Sequence, residues 1–128
     1  MQKVFTILIA DRNPRVRSFL QREMIKAGYR ILVAESARDL LQWALDRNPV
    51  DLIILDPDLP DAVDSPLMIK LRERMPMVPV IIHAHPSNNL TEPEMPRAFI
   101  TVEKGGNSIE RLKEVAEGIL KHAATELS

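Results

Sequence analysis

Apolar residues along this chain alternate between two spacings. Val4 to Ala10 (VFTILIA) is a nearly unbroken β-branched and aliphatic run, the pattern of a strand covered on both faces. From Asp11 the spacing turns helical, with Val16, Phe19, Leu20, Met24 and Ala27 on one face. Asn13 suits the N-cap, Pro14 the first helical position and Gly28 a left-handed exit. Tyr29 to Ala34 predicts a second strand. Ser36 and Asp39 then form a capping box for a helix that turns Leu40, Leu41, Ala44 and Leu45 inward. Asp51 to Leu55 predicts a third strand, Ser65 and Pro66 open a helix carrying Leu67, Met68 and Leu71, and Val78 to Ala84 predicts a fourth strand. Phe99 to Val102 predicts a short fifth. An Asn107–Glu110 capping box starts the last helix, whose inward stripe is Ile109, Leu112, Ala116, Ile119 and Ala123.

Strands alternating with helices over short connections predict an α/β fold: a doubly wound, five-stranded parallel sheet with helices on both faces. The connection between the fourth and fifth strands, HPSNNLTEPEMPRAF, departs from this order. Pro86, Pro93 and Pro96 stand where a helix would run, and an interior proline costs about 3 kcal/mol, so a shortened or irregular helix is expected there. At 128 residues, without repeats or low-complexity linkers, the chain reads as one domain over 1–128, long enough to bury roughly two-thirds of its unfolded surface.

Composition narrows the function. A net charge of -1 supplies no field that would gather nucleic acid or an anionic membrane. The absence of cysteine excludes disulfides, thiol catalysis and thiolate metal sites. No apolar run is long enough for a membrane span, and the N-terminus lacks the organisation of a signal peptide, which favours a cytoplasmic protein.

The candidate chemistry lies at strand ends. In a doubly wound sheet, ligands gather beyond the carboxyl ends of the strands where the winding reverses. Asp11 ends the first strand and Asp56 the third, Ala84 ends the fourth, and Lys104 follows the fifth. Two acids and a lysine converging on one rim suit phosphate or metal chemistry: the carboxylates to hold Mg²⁺, the lysine to pair with a phosphoryl oxygen. Pro57 and Pro60 keep the loop after Asp56 from continuing as a helix. Two histidines, His83 and His85, share one side of the fourth strand by its period of two, but two ligands are too few for a metal centre.

The segments ILIADRNPRVRSFL, DLIILDPDLP, PVIIHAH and ITVEKGG, in that order and spacing, resemble a response-regulator receiver domain, the phosphoacceptor module of two-component signalling. The resemblance spans essentially the whole chain and implies the flavodoxin-like (βα)5 receiver fold. It places the phosphoacceptor at Asp56, an acid-pocket carboxylate at Asp11 and the phosphate-binding lysine at Lys104. It also implies a Mg²⁺ ion held by Asp11, Asp56 and the backbone carbonyl of Asp58. A histidine kinase, a phosphotransfer protein or a small phosphodonor would supply the phosphoryl group. A downstream output domain or protein partner, or a homodimer, would use the family's signalling face. No turnover enzyme is implied, beyond self-phosphorylation of Asp56.

Five departures qualify that expectation. Arg12 stands where the family carries its second acid, placing a cation where Mg²⁺ would sit. Ala84 replaces the Ser or Thr whose hydroxyl follows the phosphoryl oxygen, and Thr101 stands in place of the aromatic that swings with it. Gly105 replaces the proline after the lysine, and the proline-rich stretch replaces an orderly helix on the signalling face. Together they imply a degenerate receiver with a weakened Mg²⁺ site and impaired switching. Two rivals follow. One is a phosphorylation-independent pseudo-receiver that acts as a protein-interaction module. The other, more remote, is a haloacid-dehalogenase-like phosphatase using Asp56 as nucleophile and Asp58 as acid/base, although that motif normally lies near the start of a longer chain.

Overall fold

The computed structural model describes residues 4–45, 49–61, 67–85 and 99–127. Five strands, β1 (Thr6–Ala10), β2 (Arg30–Ala34), β3 (Leu52–Leu55), β4 (Val80–Ala84) and β5 (Phe99–Glu103), form one parallel sheet in the order β2-β1-β3-β4-β5. The helices are α1 (Pro14–Lys26), α2 (Ala37–Leu45), α3 (Leu67–Arg74) and α4 (Ser108–Leu127). The winding reverses at β1, whose neighbours are β2 on one side and β3 on the other. The expected doubly wound α/β sheet is present. The irregular segment expected around Pro86, Pro93 and Pro96, together with Ser65 and Pro66, lies outside the described residues.

Strand periodicity divides the interior into two cores. Leu8, Ala10, Ile53, Leu55, Ile82 and Ala84 point to the side covered by Ala37, Leu40, Leu67 and Leu71 of α2 and α3. Ile7, Ile9, Leu52, Ile54, Ile81 and Val102 point to the side covered by Leu20 and Met24 of α1 and by Leu112, Ala116 and Leu120 of α4. Each Leu, Ile, Val or Met side chain among these contributes about 1.5–3 kcal/mol by leaving water.

The expected helix signals act as follows. Asn13 caps α1, its Oδ1 accepting from the N–H groups of Arg15 (2.9 Å) and Val16 (3.4 Å), with Pro14 at the first position. Gly28 leaves the helix with φ 99°, in the left-handed region. The inward stripe of α1 differs from the sequence expectation: Leu20 and Met24 are buried, but Phe19 and Ala27 are exposed. The stripe centres on Leu20 and Met24, one turn apart, which turns Phe19 aside, and the Arg22 guanidinium lies 5.2 Å from its ring centre. On α4, Leu120 joins the stripe that Leu112 and Ala116 define. The side chains of Leu45, Met68 and Ala123, expected to face inward, are outside the described set.

Candidate functional site

β1, β3 and β5 each carry one site residue just past their last strand residue. The N–H of Asp11 donates to the Ala34 carbonyl (3.1 Å), that of Asp56 to the Ala10 carbonyl (2.8 Å), and that of Lys104 to the Ala84 carbonyl (2.7 Å). Because the strands are parallel, all three reach the same rim, Asp11 and Asp56 on the two strands at the winding reversal.

The side chains converge. Lys104 Nζ lies 3.4 Å from Asp11 Oδ2 and 3.6 Å from Asp56 Oδ2. Both acids are 1% exposed and the lysine side chain 13%, so three charges share a site with little water. A buried charge needs partners, and here the lysine serves two carboxylates at once. Further donors complete the shell: Asn13 N–H to Asp11 Oδ1 (2.8 Å) and Asp58 N–H to Asp56 Oδ1 (2.9 Å). Burial pushes the Asp11 carboxyl above its ordinary range, and the neighbouring Asp56 charge adds to this; the Asn13 N–H and Lys104 oppose it.

Arg12 also meets this shell. Its backbone N–H donates to Asp56 Oδ2 at 3.3 Å, and its Nε lies 3.8 Å from the same oxygen. Asp56 Oδ2 therefore lies within 4 Å of both a guanidinium and an ammonium. The Arg12 side chain remains 48% exposed, so this pair is a partly solvated contact. Arg17 supports the loop from outside, its Nη1 donating to the Asp11 carbonyl at 2.7 Å.

The donor set bears on Mg²⁺. This ion is commonly held by one or two carboxylates with several waters, a requirement that the Asp11–Asp56 pair meets. One fact weakens the fit: the Arg12 charge beside Asp56.

Of the remaining sequence candidates, Ala84 is buried, its methyl in the α2/α3 core, and offers no hydrogen-bonding group. Thr101 is exposed on β5 and borders, with Glu103, Lys104, Gly105 and Arg111, a cleft of about 490 Å³. The two histidines part company. His85 is exposed, while His83 is 2% exposed with neither ring nitrogen hydrogen-bonded. Burial pushes the His83 imidazole down to about 4, assisted by the Lys104 charge and opposed by Asp56. Periodicity put both histidines on one side of β4 and could not distinguish the buried ring from the one past the strand's end. A second residue escaped the sequence reading: Asp61, whose carboxylate accepts from the N–H groups of Ala37 (2.7 Å) and Arg38 (2.9 Å) at the start of α2.

Residues 7–98 match the response regulator receiver domain family. The chain belongs to that family. Receivers are phosphoacceptor modules of two-component phosphorelays rather than free-standing enzymes. Over 77 residues, 60% of its length, this receiver is 30% identical to the DNA-binding transcriptional regulator NtrC of Bradyrhizobium sp. (strain RP501 Parasponia). That stretch is 16% of the relative, so the receiver spans well under two thirds of the curated relatives it matches. In shape it is similar to the signal receiver domain of an HD domain-containing protein from Pseudomonas fluorescens Pf-5, with 20% identity, TM-score 0.81, and coverage of 96% of this chain and 99% of that one. It is also similar to the response regulator TrrA of Thermotoga maritima, solved in complex with Mg²⁺ and BeF, with 24% identity, TM-score 0.77, and coverage of 91% and 99%. These two likenesses speak to the fold. Among the described residues, no helix is long and apolar enough to cross a membrane.

Proposed function

We propose that this receiver presents Asp56 as its phosphoacceptor, with Lys104 as phosphate partner and Asp11 as the remaining acid of the pocket. The observation that carries this reading is the placement of Lys104 Nζ within 3.4–3.6 Å of both carboxylates, although the lysine is 48 residues beyond Asp56 in the chain. A carboxylate oxygen of Asp56 attacks the phosphorus of a phosphohistidine on a histidine kinase or phosphotransfer protein, or of a small acyl phosphate. The P–N or P–O bond to the donor breaks, and the leaving group departs with the electron pair. Lys104 then follows the charge that moves from the carboxylate to the new phosphoryl oxygens. Asp11, Asp56 and the Asp58 carbonyl would hold a Mg²⁺ ion, which when bound neutralises phosphoryl charge.

Switching in this receiver is impaired. Ala84 has no hydroxyl to follow the phosphoryl group, Thr101 has no ring to swing, and Arg12 weakens the metal site by its charge. A second reading draws on the Arg12–Asp56 contact: a pseudo-receiver in which the guanidinium stands in for the ion and the domain binds its partner, or a second copy, without phosphate. Incubation with acetyl phosphate or beryllofluoride and Mg²⁺, read by intact mass or NMR, separates the two, with Asp56→Asn as control. Labelling that Asp56→Asn abolishes establishes the first reading. No labelling, with partner binding indifferent to Asp56→Asn, establishes the second.

A further inference from the structure

Helix α2 begins with an unusual partner. Its first two N–H groups, of Ala37 and Arg38, are not capped by the residue before the helix; they are taken at 2.7 and 2.9 Å by the carboxylate of Asp61, from the loop after β3. Ser36 Oγ takes the next N–H, that of Asp39 (3.1 Å). The Asp61 loop is the loop of the acid pocket. Between its two ends lie the Asp58 N–H, bound to Asp56 Oδ1 at 2.9 Å, and Leu59, 1% exposed in the same core as Ala37. Asp56, Asp58, Leu59 and Asp61 are thus four anchored positions within six residues, the last of them on a helix terminus whose dipole favours an anion. Partial burial works to raise the Asp61 carboxyl, yet the Ala37 and Arg38 N–H groups and the Arg38 charge hold it below the ordinary carboxylate range.

We propose that Asp61 is a positioning residue that couples the Asp56 carboxylate to α2, so that a change of charge at Asp56 is felt at the N-terminus of that helix. A charge-assisted hydrogen bond is roughly twice as strong as a neutral one, so neutralising the Asp56 oxygen that holds Asp58 N–H loosens the loop at its first anchor. The loop's other anchor then moves with it, because Leu59 is packed too closely to absorb the displacement. This route reaches the surface without passing through Ala84 or Thr101. That it carries a phosphoryl signal rests on Asp56 being the acceptor; the coupling itself does not.

The test needs no phosphodonor. Amide spectra of the full chain are compared for wild type, Asp56→Asn, Asp61→Asn and the double variant, and unfolding constants are measured for all four. Coupling requires that Asp56→Asn shift the Ala37 and Arg38 amides and that Asp61→Asn shift Asp58. It also requires the double variant to depart from the product of the single effects by more than about threefold. Unmoved Ala37 and Arg38 amides, or multiplicative effects, overturn the proposal. Asp61→Asn keeps the side chain's size; should it unfold, Asp56→Asn alone still decides through the Ala37 and Arg38 amides. A parallel titration with beryllofluoride and Mg²⁺, followed by ¹⁹F NMR, judges the other reading: a chain that takes no beryllofluoride but shows the coupling keeps this proposal and loses Asp56 as acceptor. Bound beryllofluoride with a still α2 terminus does the reverse.

Discussion

His83 makes acid stability a measurable consequence of the structure. The ring is 2% exposed, both nitrogens lack hydrogen-bond partners, and burial, with Lys104 and His85 adding and Asp56 opposing, pushes its pKa from 6.5 to about 4. In the unfolded chain the imidazole titrates near 6.5. Above that pH both states hold it neutral and it makes no difference to stability. As pH falls through 6.5 the unfolded state takes up a proton that the folded state refuses, so stability drops until the folded ring also protonates near 4. At about 1.36 kcal/mol per pH unit, the loss reaches about 3 kcal/mol by pH 4, or about 2.5 kcal/mol at about pH 4.5. Replacing His83 with leucine removes this loss and the cost of burying two unpaired nitrogens, which is about 1–3 kcal/mol for each such group. His83→Leu should therefore be at least as stable as wild type at pH 7 and more stable by about a further 2.5 kcal/mol at about pH 4.5. Urea denaturation of both proteins at the two pH values measures the difference directly, and the carboxylates common to both cancel in the comparison. If His83→Leu were destabilised at pH 7 and its acid limb ran parallel to wild type, the imidazole would be hydrogen-bonded and the reasoning would fail.

Other outcomes follow from the same site and frame. Arg12→Asp exchanges the cation beside Asp56 for an acid; about 1–2 kcal/mol, after allowance for the solvated side chain, gives a gain of about fivefold to thirtyfold in Mg²⁺ affinity. Titration followed by Trp43 fluorescence measures it, and equal binding by wild type would refute the role given to Arg12. Lys104→Met leaves two buried carboxylates without their shared cation and should cost about 3 kcal/mol in urea denaturation at pH 7. That cost should shrink toward pH 5, because burial already favours protonation of Asp11. Gly28→Ala places a Cβ at φ 99° with no atom within 4 Å, so its cost, about 1 kcal/mol by thermal denaturation, is conformational rather than steric.

The apolar runs disclosed the strands to within a residue or two, most plainly in β1, β3 and β4, which are buried along their whole length. The boundaries that moved have reasons. Asp51 precedes β3 rather than joining it, its carboxylate accepting from the Thr6 N–H at 2.8 Å. The meeting of Asp11, Asp56 and Lys104 at one rim was legible because parallel strands point all their carboxyl ends the same way. Other features were not legible, for physical reasons. Asp61 finds its partners 23 and 24 residues earlier, and no local spacing signals such a bond. Phe19 satisfies a helical stripe as well as Leu20 does, and only the neighbouring elements decide which of the two goes inward.

The three hydrogen bonds that hold Asp11, Asp56 and Lys104 extend the sheet's ladder by one step, each N–H tied to the carbonyl of an adjacent strand. These amides should exchange with solvent more slowly than those of the loops that follow them, with Asp56, between β1 and β3, the slowest of the three. Any chemistry at this rim therefore rests on a scaffold that does not depend on it. Side chains there can be exchanged, as at Arg12, while the platform that displays them persists.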